Sequence, residues 1–364
     1  MTEPDFPRTL LPSRWRLPAL AFTLTLAACL GGESVARAET VADVAGPANA
    51  VLARLEERKA ALARAGASVV GVEVRALEDA RSIATLGPRR AGSGVVIAAD
   101  GLVLTIGYLI LEADHVDLVD GSGRHLPARV VAYDLASGFG LLQALTPLPL
   151  EPVPLGISAA VKGDEPLLVA SGGDEADLSL ARMVSRRPFS GYWEYHIDGA
   201  LFTAPARTDH SGAGLFNAEG ELVGIGSLVV TDAAGNAAAP LRGNMFVPVD
   251  LLKPILGEMI ATGRQKGSMR PWLGLSSIED DGQLRVLRVS EGGPAESAGV
   301  EVGDIILAIG GHKVKKLEEF YRRLWSAGEP GVEVTLKLQQ GGDVREVQIR
   351  SIDRFDLMRK RPTI

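Results

Sequence analysis

The sequence predicts a mainly β fold made of two consecutive β units. Three observations carry this. The 364 residues include 42 Gly and 21 Pro, which favours turns and strands over helical bundles. Short apolar runs, many rich in valine, recur between Asp-Gly and other glycine-bearing turns, the pattern of an all-β sandwich or barrel. After a basic, polar stretch at 264–269 the pattern starts afresh, with its own hairpin and one amphipathic helix.

Each element follows from local sequence. Residues 49–65 lack Gly and Pro and are rich in Ala, Leu, Glu and Arg, so a helix is expected there, ended by Gly66. Strands are expected at 69–74, 90–98, 101–105, 115–119, 128–133, 140–145, 165–170, 180–184, 222–229 and 244–248. A helix is expected at 251–262, with Pro254 tolerated near its first turn and Gly263 ending it. In the second unit, strands are expected at 272–278, 284–289 and 304–309, and a hairpin at 332–349 turns at Gly341-Gly342. Leu317, Phe320, Tyr321 and Leu324 line one face of a helix at 317–326. The resulting division is 1–38 as an export signal, 39–67 as a helical segment, 68–262 as the first β unit, 263–270 as linker, 271–353 as the second, and 354–364 as a tail.

Arg8, Arg14 and Arg16 precede an apolar run at 17–30, and Ala36-Arg37-Ala38 offers a small-x-small cleavage site. Export across a bacterial inner membrane into the periplasm is expected, with a short membrane anchor that stays attached as the alternative. Leu26-Ala27-Ala28-Cys29 also fits a lipoprotein box, in which Cys29 is lipidated and tethers the protein to a membrane. The two readings stand side by side, and both place the folded part outside the cytoplasm. A single cysteine excludes an intrachain disulfide and a cysteine metal site. The formal charge of −7 and the lack of a basic, aromatic-laced patch argue against a nucleic-acid partner. No His or carboxylate spacing suits a metal, and no cofactor is expected.

The chemistry centres on 203–217, TAPARTDHSGAGLFN. Ser211 lies in a glycine-bearing turn, a setting that can project a hydroxyl and leave backbone N–H groups free beside it. The second unit resembles a PDZ domain. Trp272-Leu273-Gly274-Leu275 matches the carboxylate-binding loop, and Gly293-Pro294-Ala295, Ala298-Gly299-Val300 and Gly303-Asp304-Ile305-Ile306 match the spacing found in exported bacterial proteases. The first unit resembles the trypsin-like protease domain of the HtrA (Deg) family. The resemblance rests on Gly92–Ile97, Asp100–Thr105, Ser211-Gly212 with Gly214-Leu215, Gly220 and Gly224-Ile225, and spans roughly Ser68 to Ile352. It implies a trypsin-like double β-barrel followed by a PDZ domain, assembly into homo-trimers or larger cages, and a role in envelope protein quality control.

The resemblance also implies a catalytic triad, which does not carry over. The family's histidine falls at Tyr108, its aspartate at Gly138, and its Gly-Asn-Ser-Gly-Gly-Pro loop at Asp209-His210-Ser211-Gly212-Ala213-Gly214. A serine hydroxyl is a poor nucleophile without a base in hydrogen-bond reach. A neutral phenol accepts a proton poorly, and glycine orients nothing. Asp209 stands where the family's oxyanion hole has glycine, and its carboxylate would oppose developing negative charge. His210, adjacent to Ser211, and His115, beyond Tyr108, are the alternative bases. Tyr108 is expected to fill the imidazole's space and partly plug the cleft. Asp134 reads as a turn cap, His196 as a loop residue, and Phe189, Tyr192, Trp193 and Tyr195 as core and oligomer contact.

The PDZ half keeps its equipment. Backbone N–H groups around Leu273, Gly274 and Leu275 suit a C-terminal carboxylate, and Leu317, Phe320 and Leu324 flank the groove for an added peptide strand. The groove is either open to C-terminal or unfolded segments or filled by the chain's own segment. The leading reading is a non-catalytic HtrA-like protein acting as adaptor, chaperone or regulator, alone or in a mixed oligomer with an active relative. The alternatives are a serine endopeptidase with an unusual base and a structural PDZ scaffold of the envelope.

Overall fold

A computed structural model describes residues 42–174, 176–236 and 239–359. The export signal, its cleavage site and Cys29 lie outside the described residues. Both β regions lie within one unit, Ala50–Ile364.

Helix α1 (Ala42–Ala67) begins earlier than the sequence suggests, through Gly46 and Pro47. Its later turns lie against the turn at 217–221 of the first β region: Arg58 pairs with Glu219 at 2.9 Å, and Ala61 backs onto Gly220. Six strands then close the first barrel: β1 (Val69–Ala76), β2 (Arg89–Val96), β3 (Leu102–Ile106), β4 (Ala113–Val119), β5 (His125–Tyr133) and β6 (Phe139–Ala144), in the order β1-β2-β3-β6-β5-β4. Val70, Val72 and Val74 on β1 point inward while Glu73 and Arg75 face solvent, the two-residue period of a half-buried strand. Two short helical turns interrupt this barrel, α2 (Ile83–Leu86) and α3 (Gly107–Ile110).

The second barrel is β7 (Pro166–Ala170), β8 (Leu178–Gly191), β9 (Tyr195–Ala204), β10 (Gly214–Phe216), β11 (Leu222–Val230) and β12 (Gly243–Pro248), closed in the order β10-β11-β12-β9-β8-β7. β8 and β9 make a long hairpin that extends beyond the barrel. Sequence pattern alone misses β9 and truncates β8, because polar residues such as Arg186, Arg187 and Asp198 break the alternation. One apolar cluster fills the first barrel and continues into the second through Leu168, Phe202 and Phe216, and another centres on Leu167, Leu215 and Phe246. Where one helix was expected at 251–262, Pro254 splits it into a 3-10 turn (Val249–Leu251) and α4 (Leu256–Thr262). Proline has no N–H to give a preceding turn.

The third layer is a sheet of β13 (Leu275–Asp280), β14 (Gln283–Val289), β15 (Ile305–Ile309), β16 (His312–Lys313), β17 (Glu333–Gln340) and β18 (Asp343–Arg350), with β13 at one edge. The short α5 (Pro294–Ser297) and α6 (Leu317–Ser326) cover it. Leu317, Phe320, Tyr321 and Leu324 are all buried, as their spacing predicts. The tail is not loose up to Arg359. Phe355 packs edge-on to Tyr133 at 5.8 Å, Asp353 takes Arg264 at 2.7 Å, and the Arg359 N–H donates to Glu112 at 2.7 Å. Among the described residues, no helix is long and apolar enough to cross a membrane.

The two barrels meet at Gly212. Its φ is +76°, and a Cβ there would sit 2.0 Å from the Ser93 carbonyl oxygen and 2.7 Å from Thr105 Oγ1. Gly212→Ala therefore combines left-handed strain with a backbone clash, and is expected to cost on the order of 3 kcal/mol, read as a fall in the midpoint of chemical denaturation.

Candidate functional site

The loop from β9 to β10 carries Ser211, and backbone bonds to both barrels hold it. The Ser93 N–H of β2 donates to the Ser211 carbonyl at 2.8 Å, and the Gly212 N–H donates to Gly226 at 2.9 Å. On the far side of the seam, α3 presents Tyr108. The Tyr108 and Ser211 hydroxyl oxygens are 2.7 Å apart, and Tyr108 Oη is 2.9 Å from the carbonyl oxygen of Ser227. A carbonyl can only accept, so the phenol gives its one proton to Ser227. The Ser211 hydroxyl must then donate to the phenol oxygen. Burial pushes the Tyr108 phenol up to about 12, a shift that its bond with Ser211 opposes. The phenol thus stays neutral, and the serine proton points at an oxygen with little affinity for it.

Gly138 closes the turn before β6. Its N–H donates to Asp134 at 2.8 Å, and its carbonyl accepts from Gly107, next to Tyr108, at 2.6 Å. Its φ is +82°, a region where a side chain is strained, and a Cβ there would lie 3.3 Å from the Tyr195 hydroxyl. Asp134 caps this turn, accepting from the Ser137 N–H at 2.8 Å.

The oxyanion region differs from the sequence expectation. The Asp209 carboxylate is held by buried Arg207, whose Nε lies 3.0 Å from Asp209 Oδ1 and whose Nη2 pairs with Oδ2. Ser171 donates to the same carboxylate at 2.5 Å. Burial alone would raise the Asp209 pKa, but the Arg207 and Ser171 bonds hold it below the usual range. The charge that was expected to oppose an oxyanion is thus largely matched by a guanidinium. Arg207 carried no sequence signal, because its role depends on Ser171, Asp177 and Ser179 folding back from β7 and β8.

Neither alternative imidazole reaches Ser211. His210 Nδ1 lies 3.0 Å from the Thr208 carbonyl and so donates to it, and burial lowers the ring's pKa. His115 is exposed on β4, with Nε2 3.0 Å from Asp117. His196, expected in a loop, is buried in β9 and 3.2 Å from Arg322. His196, Asp198 and Glu318 lie close enough for a metal, but the Arg322 guanidinium already binds all three.

The PDZ-like groove is occupied from within the chain. The tip of the β8–β9 hairpin enters between β13 and α6. The Glu194 carboxylate accepts from the N–H groups of Leu273 at 3.3 Å, Gly274 at 2.9 Å and Leu275 at 2.9 Å. The Ser277 N–H on the open edge of β13 donates to the Tyr192 carbonyl at 2.9 Å. Tyr321 Oη donates to Gly191 at 2.7 Å and accepts from the Glu194 N–H at 3.2 Å. The side chains of Leu273, Leu275, Leu317, Phe320 and Leu324 are core, and the loop's contribution is backbone N–H. The aromatic group is partly core, with Trp193 stacked on Tyr195 at 5.6 Å, while the Tyr192 ring is exposed. Nothing in the strand pattern marks Glu194, since the match is spatial across 79 to 81 residues.

Tyr108→Phe removes the hydroxyl that joins the barrels and leaves the Ser227 carbonyl and the Ser211 hydroxyl without it. Stability is expected to fall by about 1–2 kcal/mol in urea denaturation, with no gain in reactivity of Ser211.

Residues 92–225 match the family described as trypsin-like peptidase domain, and residues 271–350 match the PDZ domain family. A probable periplasmic serine endoprotease, DegP-like, from Hahella chejuensis is 29% identical over 283 residues, covering 72% of this chain and 58% of that protein. The periplasmic pH-dependent serine endoprotease DegQ of Escherichia coli is 26% identical over 273 residues, covering 71% and 58%. The chain thus spans about 58% of the length of these relatives. A serine endoprotease from Yersinia pestis shares the fold at a TM-score of 0.50 and 24% identity, covering 81% of this chain and 97% of that one. The HtrA-type protease AlgW with tripeptide does so at 0.50 and 19%, covering 84% and 98%. With both domains matched, in the order these folds share, the chain is HtrA-like: a trypsin-like peptidase domain followed by a PDZ domain.

Proposed function

We propose that this chain is a catalytically deficient HtrA-like protein of the bacterial envelope that binds C-terminal or unfolded polypeptide segments through its PDZ domain. Its role would be that of adaptor, chaperone or regulator in protein quality control. The observation that carries the reading is the partner of Ser211, a neutral phenol 2.7 Å away where acyl transfer needs an imidazole. Gly138 supplies no carboxylate to orient one. Loss of triad members costs several orders of magnitude in rate. The periplasmic location is supported by the basic and apolar N-terminal sequence and by relatives named as periplasmic. Homo-trimers or mixed oligomers with an active relative follow from the resemblance.

The second reading, a working serine endopeptidase, is favoured by retention of Ser211 and by relatives named as serine endoproteases. It requires another base, and His210 is turned to Thr208. The third, a structural scaffold, uses the same PDZ domain without quality control.

A fluorophosphonate probe separates the first two readings. No labelling of Ser211 and no casein hydrolysis are expected. Tyr108→His alone should also stay unlabelled, because it restores the base without its carboxylate. Labelling of the unmodified protein that is lost in Ser211→Ala would establish a working nucleophile and reverse the conclusion.

A further inference from the structure

The loop that would hold a peptide's terminal carboxylate already holds one. Two Glu194 oxygens receive three backbone N–H groups, and these are the N–H groups of Leu273, Gly274 and Leu275. The residue two before it, Tyr192, pairs with the β13 edge at Ser277, as an added strand does. Glu194 sits at φ +57°, a left-handed conformation that costs a residue other than glycine and persists only where its surroundings enforce it. Tyr321 provides that enforcement by bonding both Gly191 and Glu194. Outside the groove, Arg322 of α6 clamps Asp198 of β9 at 2.5 Å.

We propose that the β8–β9 hairpin is a latch in which the Glu194 side chain imitates a chain terminus, so that a polypeptide with a free C-terminal carboxylate enters the PDZ groove only by displacing residues 191–194. The inference rests on the reading that this groove binds C-termini. Displacement exchanges like for like at the N–H groups, so an incoming peptide gains affinity only from what it offers beyond the carboxylate. The groove is therefore selective against weak ligands. The two strands of the hairpin belong to the barrel that carries Ser211.

The latch is sensitive to pH. Burial raises the Glu194 pKa from 4.5 to about 7, against the pull of its three N–H donors and of Arg354. Other groups face the same junction: Tyr321, Arg322 and Glu318 on α6, Glu279 on β13, and His196 and Asp198 on β9. Because the buried form has the higher pKa, closing takes up a proton. The closed state is favoured most below pH 4.5 and loses that advantage as pH rises through about 7.

The test uses the full chain and a pool of fluorescein-labelled hexapeptides ending in free-acid Val, Leu, Phe or Tyr, with C-terminally amidated peptides as controls. Glu194→Asn shortens and neutralises the side chain while tolerating the left-handed backbone. It is expected to bind the free-acid pool at least about tenfold more tightly than the unmodified chain, and the amidated pool no better. Tyr321→Phe, which leaves the carboxylate loop intact, should give an intermediate gain, and it serves if Glu194→Asn does not fold. Equal binding by all three proteins would overturn the latch and leave C-terminal recognition standing. No binding by any of them would overturn that recognition and the latch with it.

Discussion

Two hydrogen bonds of one phenol tie the barrels together at the place where a related protease would do chemistry. Tyr108 comes from the first barrel, and Ser211 and Ser227 come from the second. Because the carbonyl fixes which way the phenolic proton points, it also fixes which way the serine proton points. The same contact that braces the seam therefore decides the protonation of the serine. Each hydroxyl of this half-buried pair has a partner, so neither is left unsatisfied at the seam.

The neighbouring loop shows the same economy. Asp209 and Arg207 neutralise one another beside Ser171, so charge-assisted bonds hold the turn that leads into Ser211. The PDZ-like groove, by contrast, retains all its backbone donors. They are engaged, but by a segment whose backbone is strained and whose carboxylate is pushed toward its neutral form. One site has been made comfortable and the other has been kept under tension.

Much of this fold could be read from the chain. The valine-rich strands, the Asp-Gly turns and the stripe of Leu317, Phe320, Tyr321 and Leu324 follow from spacing alone, and so does the position of Ser211 in its turn. Pairwise contacts across long separations could not be read. Arg207 looks like any loop arginine until β7 and β8 bring Ser171 and Ser179 to it. Glu194 looks like a turn residue, and Tyr321 like one more member of an apolar stripe, until α6 and the β8–β9 hairpin meet. Sequence periodicity reports which side of an element is buried, and says nothing of which distant backbone a carboxylate will find.

Gly138 limits what its turn can accept. With a backbone conformation suited to glycine and a tyrosine hydroxyl 3.3 Å from where a side chain would begin, the turn is shaped for a residue without one. A mutation that returned an aspartate there would bear strain at once and yield nothing until an imidazole also appeared across the seam. A side chain at residue 138 would therefore carry its strain alone, whatever residue stands across the seam at 108.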